Sequence, residues 1–188
     1  MQKPDKKQIK YQQNNIDGFD ISDVLVDSSR LVADLAVEMV MLQPAYFRFF
    51  VDGCFTCKYP LSMRSARVVQ LCAAKNPRLF QPYAAEYLEP FLNSKVDGVR
   101  RSFLKVYTEH CDISTLDNLG LLIDKAFEWV ADTKQPIAIR AFSIDLIVKM
   151  IKIEPDLIPE FIALIGHAEM TFGAGMQSKL RKLRKLLK

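Results

Sequence analysis

The sequence predicts an all-α fold built as a stack of helical hairpins, and three observations carry that prediction. Apolar residues recur at three- and four-residue steps, as in Leu31, Leu35, Met39 and Leu42 or Phe142, Leu146, Met150 and Ile153, the spacing that lines one side of a helix. No alternating β-branched run with hairpin turn chemistry occurs, and no strand–helix alternation of the kind that builds a parallel sheet. The third observation is repetition. PLSMRSARVVQL (60–71), VDGVRRSFLKVY (96–107) and PIAIRAFSIDLI (136–147) each set an apolar residue before an arginine and another four positions after it. The arginines, Arg64, Arg100 and Arg140, lie 36 and 40 residues apart.

Taken in order, the first ~20 residues are polar and contain Gln-Gln-Asn-Asn and Asp17-Gly18; a mobile lead-in over 1–20 is expected there. A single domain is expected over 21–188. A proline-led phrase recurs as QPAYFRFF (43–50), NPRLFQPY (76–83) and EPDLIPEF (154–161). Proline suits a helix's first turn and breaks its interior, so each phrase marks the passage from a first helix, A, to a second, B. The hairpins then fall at 24–58, 59–95, 96–135 and 136–173. Each leaves an apolar face that only a neighbouring hairpin can cover. Gly173 and Gly175 are expected to stop the last hairpin. A basic amphipathic helix over 175–188 closes the stack, with Met176, Leu180, Leu183 and Leu187 as its apolar stripe.

The Val99-Arg100 and Ile139-Arg140 pairs, with this period, resemble the first helix of HEAT-like repeats over about 150 residues. That resemblance implies a right-handed α-α superhelix of armadillo type, with B helices lining its concave side. The whole chain also resembles small bacterial helical-repeat proteins, some of which carry the name adenylosuccinate lyase. Members of that lyase superfamily are far longer and use a Ser-rich loop with a Met-Pro-x-Lys-x-Asn phrase. The nearest text here, LSMRSAR (61–67), lacks the phrase.

Charge is unevenly placed. Residues 1–29 carry four cations and five acids, 30–173 sixteen and seventeen, and 174–188 six and none. The excess basicity therefore belongs to the last helix. The N-terminus lacks the apolar run of a signal peptide, and nothing approaches the ~18 apolar residues of a membrane span. Four cysteines in such a chain read as reduced thiols, and a cytoplasmic protein is expected.

Chemistry is sparsely signalled. Cys54 and Cys57 form a Cys-x-x-Cys that suits a redox pair or half of a zinc site, with Cys72, His110 and Cys111 as further ligands. No second close pair exists, however, and no βαβ unit accompanies it. Repeat register instead sets Cys54 at the position of Tyr87 and Ile165, where cysteine packs as a small hydrophobe. His110 and His167 read as helix-end cations. TFGAGMQSK (171–179) lacks the phosphate-loop spacing, and Trp129 reads as core. The sequence implies no catalytic residue, cofactor, metal or small-molecule ligand.

The expected role is a binding or scaffold module for another protein or a peptide segment. The A helices (60–75, 96–111, 136–154) hold nine cations and four acids, the B helices (44–58, 77–95, 116–134, 155–173) six and ten. Glu86, Glu89, Asp124, Glu128 and Glu160 on the B helices are the candidates to hold a basic partner segment. The alternative is a nucleic-acid backbone following Arg64, Arg100 and Arg140, with Lys179, which continues their register, and Arg181, Lys182, Arg184 and Lys185 of the last helix. DNA-repair proteins of this architecture grip a duplex in a basic concave face, whereas the B face here is acidic. The same arginines also suit bonds between repeats, because a planar guanidinium matches carboxylates and carbonyls.

Overall fold

Every regular element in the computed structural model, which describes residues 18–187, is helical. Helix α1 (Ile21–Val24) is opened by Asp20, whose carboxylate accepts from the Ser22 amide at 2.8 Å. Helix α2 (Arg30–Leu42) begins at Ser29, whose hydroxyl accepts from the Val32 amide, satisfying an amide that has no carbonyl partner in a first turn. Pro44 opens a short 3-10 turn that feeds α3 (Phe47–Thr56). Helix α4 (Leu61–Lys75) follows.

In the return limb of the second hairpin, Pro77 and Pro82 remove two amide donors five residues apart. The chain there makes two 3-10 turns, Pro77–Leu79 and Gln81–Tyr83, before the six-residue α5 (Leu88–Asn93), as proline in a helix interior requires. Helix α6 (Asp97–Lys105) runs into a π-turn over Val106–His110. Helices α7 (Leu119–Ala131), α8 (Ile137–Ile151), α9 (Ile158–Ala168) and α10 (Ala174–Leu186) complete the chain.

Helices α2, α4, α6 and α8 neighbour one another in sequence order and form one layer; α5, α7 and α9 line up in the other, with α3 resting on α4 and α7 on α8. This is an all-α solenoid, and its hairpins fall where the repeated text placed them. Aromatic side chains run through the space between the layers. Phe103 meets Phe55, Phe80 and Phe91 at centroid distances of 5.0, 5.8 and 5.7 Å, and Phe91 in turn meets Trp129 at 5.6 Å. Burying each such ring contributes about 1.5–3 kcal/mol. Helix α8 is buried nearly all round, through Ile139, Ile144, Leu146, Ile147, Met150 and Ile151.

Two details differ from the sequence expectation. In α2 the core face is Ala33, Ala36, Val37 and Val40, while Leu31, Leu35 and Leu42 are exposed by 68%, 59% and 87%; small side chains let α2 approach α4 closely. Gly173 is the N-cap of α10, but Gly175 falls inside its first turn. Of the lead-in expected over 1–20, residues 1–17 lie outside the described residues. Among the described residues, no helix is long and apolar enough to cross a membrane.

Candidate functional site

The arginines of the repeat register all hold other parts of the stack. Arg64 donates to the Leu25 carbonyl at 2.8 Å and to the Ser28 hydroxyl at 3.1 Å, fastening the loop before α2. Arg100 donates to Gln135 at 2.7 Å and to Asp97, with its Nε buried and unpartnered. Arg140 is 2% exposed, donates to the Val130 carbonyl and the Thr171 hydroxyl, and lies 4.2 Å above the Phe172 ring. Lys179 pairs with Asp145 of α8. The structure thus brings each of these cations to a neighbouring element rather than to a common open surface.

Helix α10 packs through the stripe that its sequence shows. Leu180 is fully buried, with Met176, Leu183 and Leu187 against the same core. Arg184 and Arg181 reach Glu169 at 3.3 and 3.7 Å. Lys182 and Lys185 are exposed and enter no ion pair among the described residues.

The five acids of the B helices are all exposed, yet they differ in their partners. Glu86 is gripped by Arg48 through two bonds of 3.1 and 2.7 Å, the same guanidinium that donates to Asp52 at 3.2 Å and stands over the rings of Tyr83 and Tyr87. Tyr87 donates its hydroxyl to Asp52; burial is the first cause, and this bond the second, that push its phenol well above the usual range. Glu128 pairs with Lys125 of its own helix at 2.7 Å. Glu89, Asp124 and Glu160 have no ion pair among the described residues. Leu121, 46% exposed, adds an apolar contact on α7.

Cys54 is 2% exposed and its repeat counterparts Tyr87 and Ile165 are equally buried. Burial pushes its thiol well above the ordinary range, so it is held as a neutral thiol. No group of three or more His, Cys, Asp or Glu side chains suited to a metal forms among the described residues.

A groove between the helices of the α2–α4–α6–α8 layer contains Arg67 and Arg101, which the sequence reading passes over in favour of Arg64 and Arg100. Their signal is helical phase. Arg67 lies one turn beyond Arg64, and Arg101 one residue beyond Arg100, on the wetter side of α4 and α6.

Neither the curated proteins nor the solved structures contain a significant match to the sequence. The resemblance to chains named adenylosuccinate lyase gains no support from either comparison. A family model of the HEAT repeat domain, in contrast, matches residues 30–187, from the first residue of α2 to the residue after α10. That span covers every stacked hairpin just described, and the chain belongs to the HEAT repeat family.

Proposed function

We propose that the chain is a non-catalytic binding module that holds a basic protein segment along the exposed face of its B helices. One contrast carries the reading: Glu89, Asp124 and Glu160 are exposed and unpaired among the described residues, whereas Arg64, Arg100, Arg140 and Lys179 are all engaged. HEAT repeats commonly hold other proteins on extended surfaces of this kind. Charge complementarity would guide the encounter, and exposed apolar contacts such as Leu121 would slow dissociation.

A displayed random-peptide library tests this. Wild type should enrich Lys- and Arg-rich sequences, and the triple variant E89K/D124K/E160K should bind the selected peptides at least about tenfold more weakly. Equal affinity for both proteins, or no basic enrichment, would sink the proposal. A nucleic-acid reading draws on Lys182 and Lys185 of α10, exposed and unpaired. Salt-dependent binding of duplex DNA that K182E/K185E abolishes would favour it instead.

A further inference from the structure

The groove in the A layer opens between α2, α4 and α6 and is closed at one side by Phe142 of α8; its volume is about 370 Å3. Five cations line it, Arg30, Arg64, Arg67, Arg101 and Lys105, against one acid, Asp27. The floor is apolar, with Met63 and Leu71 beside Phe142. Gly98 leaves room for that floor: a Cβ there would meet Met63 Cγ at 2.3 Å, so a larger residue would push the Met63 side chain from its place.

The cations are not equivalent. Arg30 bonds both carboxylate oxygens of Asp34 at 2.8 Å, and Arg64 is fixed to Leu25 and Ser28. Asp27 is occupied too, accepting from the Ser29 amide at 2.7 Å. Arg67 and Arg101 are exposed and make no hydrogen bond or ion pair among the described residues. Lys105 places its ammonium 5.3 Å from the centre of the Phe142 ring. Ser102 also lines the groove, and its hydroxyl makes no hydrogen bond among the described residues.

We propose that this groove is a binding site for a small phosphorylated molecule of nucleoside-diphosphate class. Two free guanidinium forks match phosphate oxygens bidentately, and the Ser102 hydroxyl donates to a further oxygen. Met63, Leu71 and Phe142 offer an apolar bed for the planar part, beside the Lys105 ammonium. The volume falls in the ~300–1,000 Å3 range of small-molecule sites. The site lies on the opposite helical layer from the acidic surface, so the two proposals stand or fall separately.

Isothermal titration of the full chain with ADP and with inorganic pyrophosphate, at physiological salt, tests it. Wild type should bind ADP saturably, and pyrophosphate more weakly because it lacks the planar part. R67E/R101E should weaken ADP binding at least about tenfold with unchanged circular dichroism. R67K/R101K should recover part of the loss, and K182E/K185E in α10 should leave binding unaltered. Hydrogen exchange gives a second reading on wild type alone, with ADP slowing amide exchange in 63–71 and 98–105. Absence of saturable binding, equal loss in the α10 variant, or protection confined to segments that do not line the groove would overturn the site.

Discussion

Lys149 of α8 donates its ammonium to the carbonyl of Tyr107, 2.9 Å away and 42 residues earlier in the chain, and also to that of Cys111. The π-turn over Val106–His110 leaves carbonyls without their usual helical partners. A cation at that C-terminal end both satisfies them and complements the helix dipole. One lysine therefore ends the third A helix and ties it to the fourth.

Lys149→Met should destabilise the protein by about 1–3 kcal/mol, because the half-buried carbonyls lose their donor. Thermal unfolding of the variant reads this directly. A midpoint equal to that of wild type would mean that water replaces the ammonium at no loss.

Arg140→Ala should be costly and Arg67→Ala should not. The first removes two hydrogen bonds and a contact with Phe172, about 2–3 kcal/mol together. The second removes an exposed side chain without bonds and should stay within about 0.5 kcal/mol. Urea denaturation of the pair checks the contrast; similar losses for both would contradict it.

Stability should fall at alkaline pH. Burial pushes the Cys72 and Cys111 thiols up from 9.0 to about 12 and about 11. Above pH 9.0 the unfolded chain releases protons that the folded chain retains, so each thiol's contribution, complete below that pH, declines by roughly 1.4 kcal/mol per pH unit. Lys149 acts oppositely. Burial lowers its pKa, so the folded state sheds its proton first and gains relative stability as pH rises through that window. The thiols outnumber it, and C72A should flatten the alkaline fall. Parallel pH profiles for C72A and wild type would remove Cys72 from the explanation.

Gly53 and Ile21 should be coupled. A Cβ on Gly53 would lie 2.4 Å from Ile21 Cδ1 and 3.0 Å from Ser65 Oγ. Gly53→Ala should therefore destabilise wild type, despite alanine's better helix propensity. In an Ile21→Ala background the space exists, and the same change should be neutral or favourable. A double-mutant cycle should give a coupling of about 1 kcal/mol; additive effects would show that Ile21 swings aside freely.

Leu180→Ala should loosen α10 first. Leu180 is fully buried, and truncating such a leucine costs about 2–5 kcal/mol. Limited proteolysis should then cut within α10 while the hairpins resist. Uniform resistance would show that Arg184, Arg181 and Lys179 hold the helix without Leu180.

The hairpin boundaries were legible because prolines and the repeated arginines are local signals that no tertiary contact can erase. Helix faces were less so. In α2, apolar residues surround the axis, so periodicity marks a helix without saying that Ala33 and Val37, rather than Leu31 and Leu35, face inward. Arg64, Arg100 and Arg140 could be lined up by register, but their partners Leu25, Gln135 and Thr171 sit in loops whose paths follow from packing. Arg67 and Arg101 gain meaning only when α4 packs against α6 and a groove opens between them.

Side chains brace each joint of the stack: Arg48 to Glu86, Gln81 to Asp112 and Thr115, Lys149 to Tyr107, and Lys179 to Asp145. Bending a two-layer array must stretch one layer against the other, and these struts resist that shear. The stack is thus a truss more than a spring. A partner docking on either layer as proposed would meet side chains already tied across the joints, so less would remain to be ordered on contact.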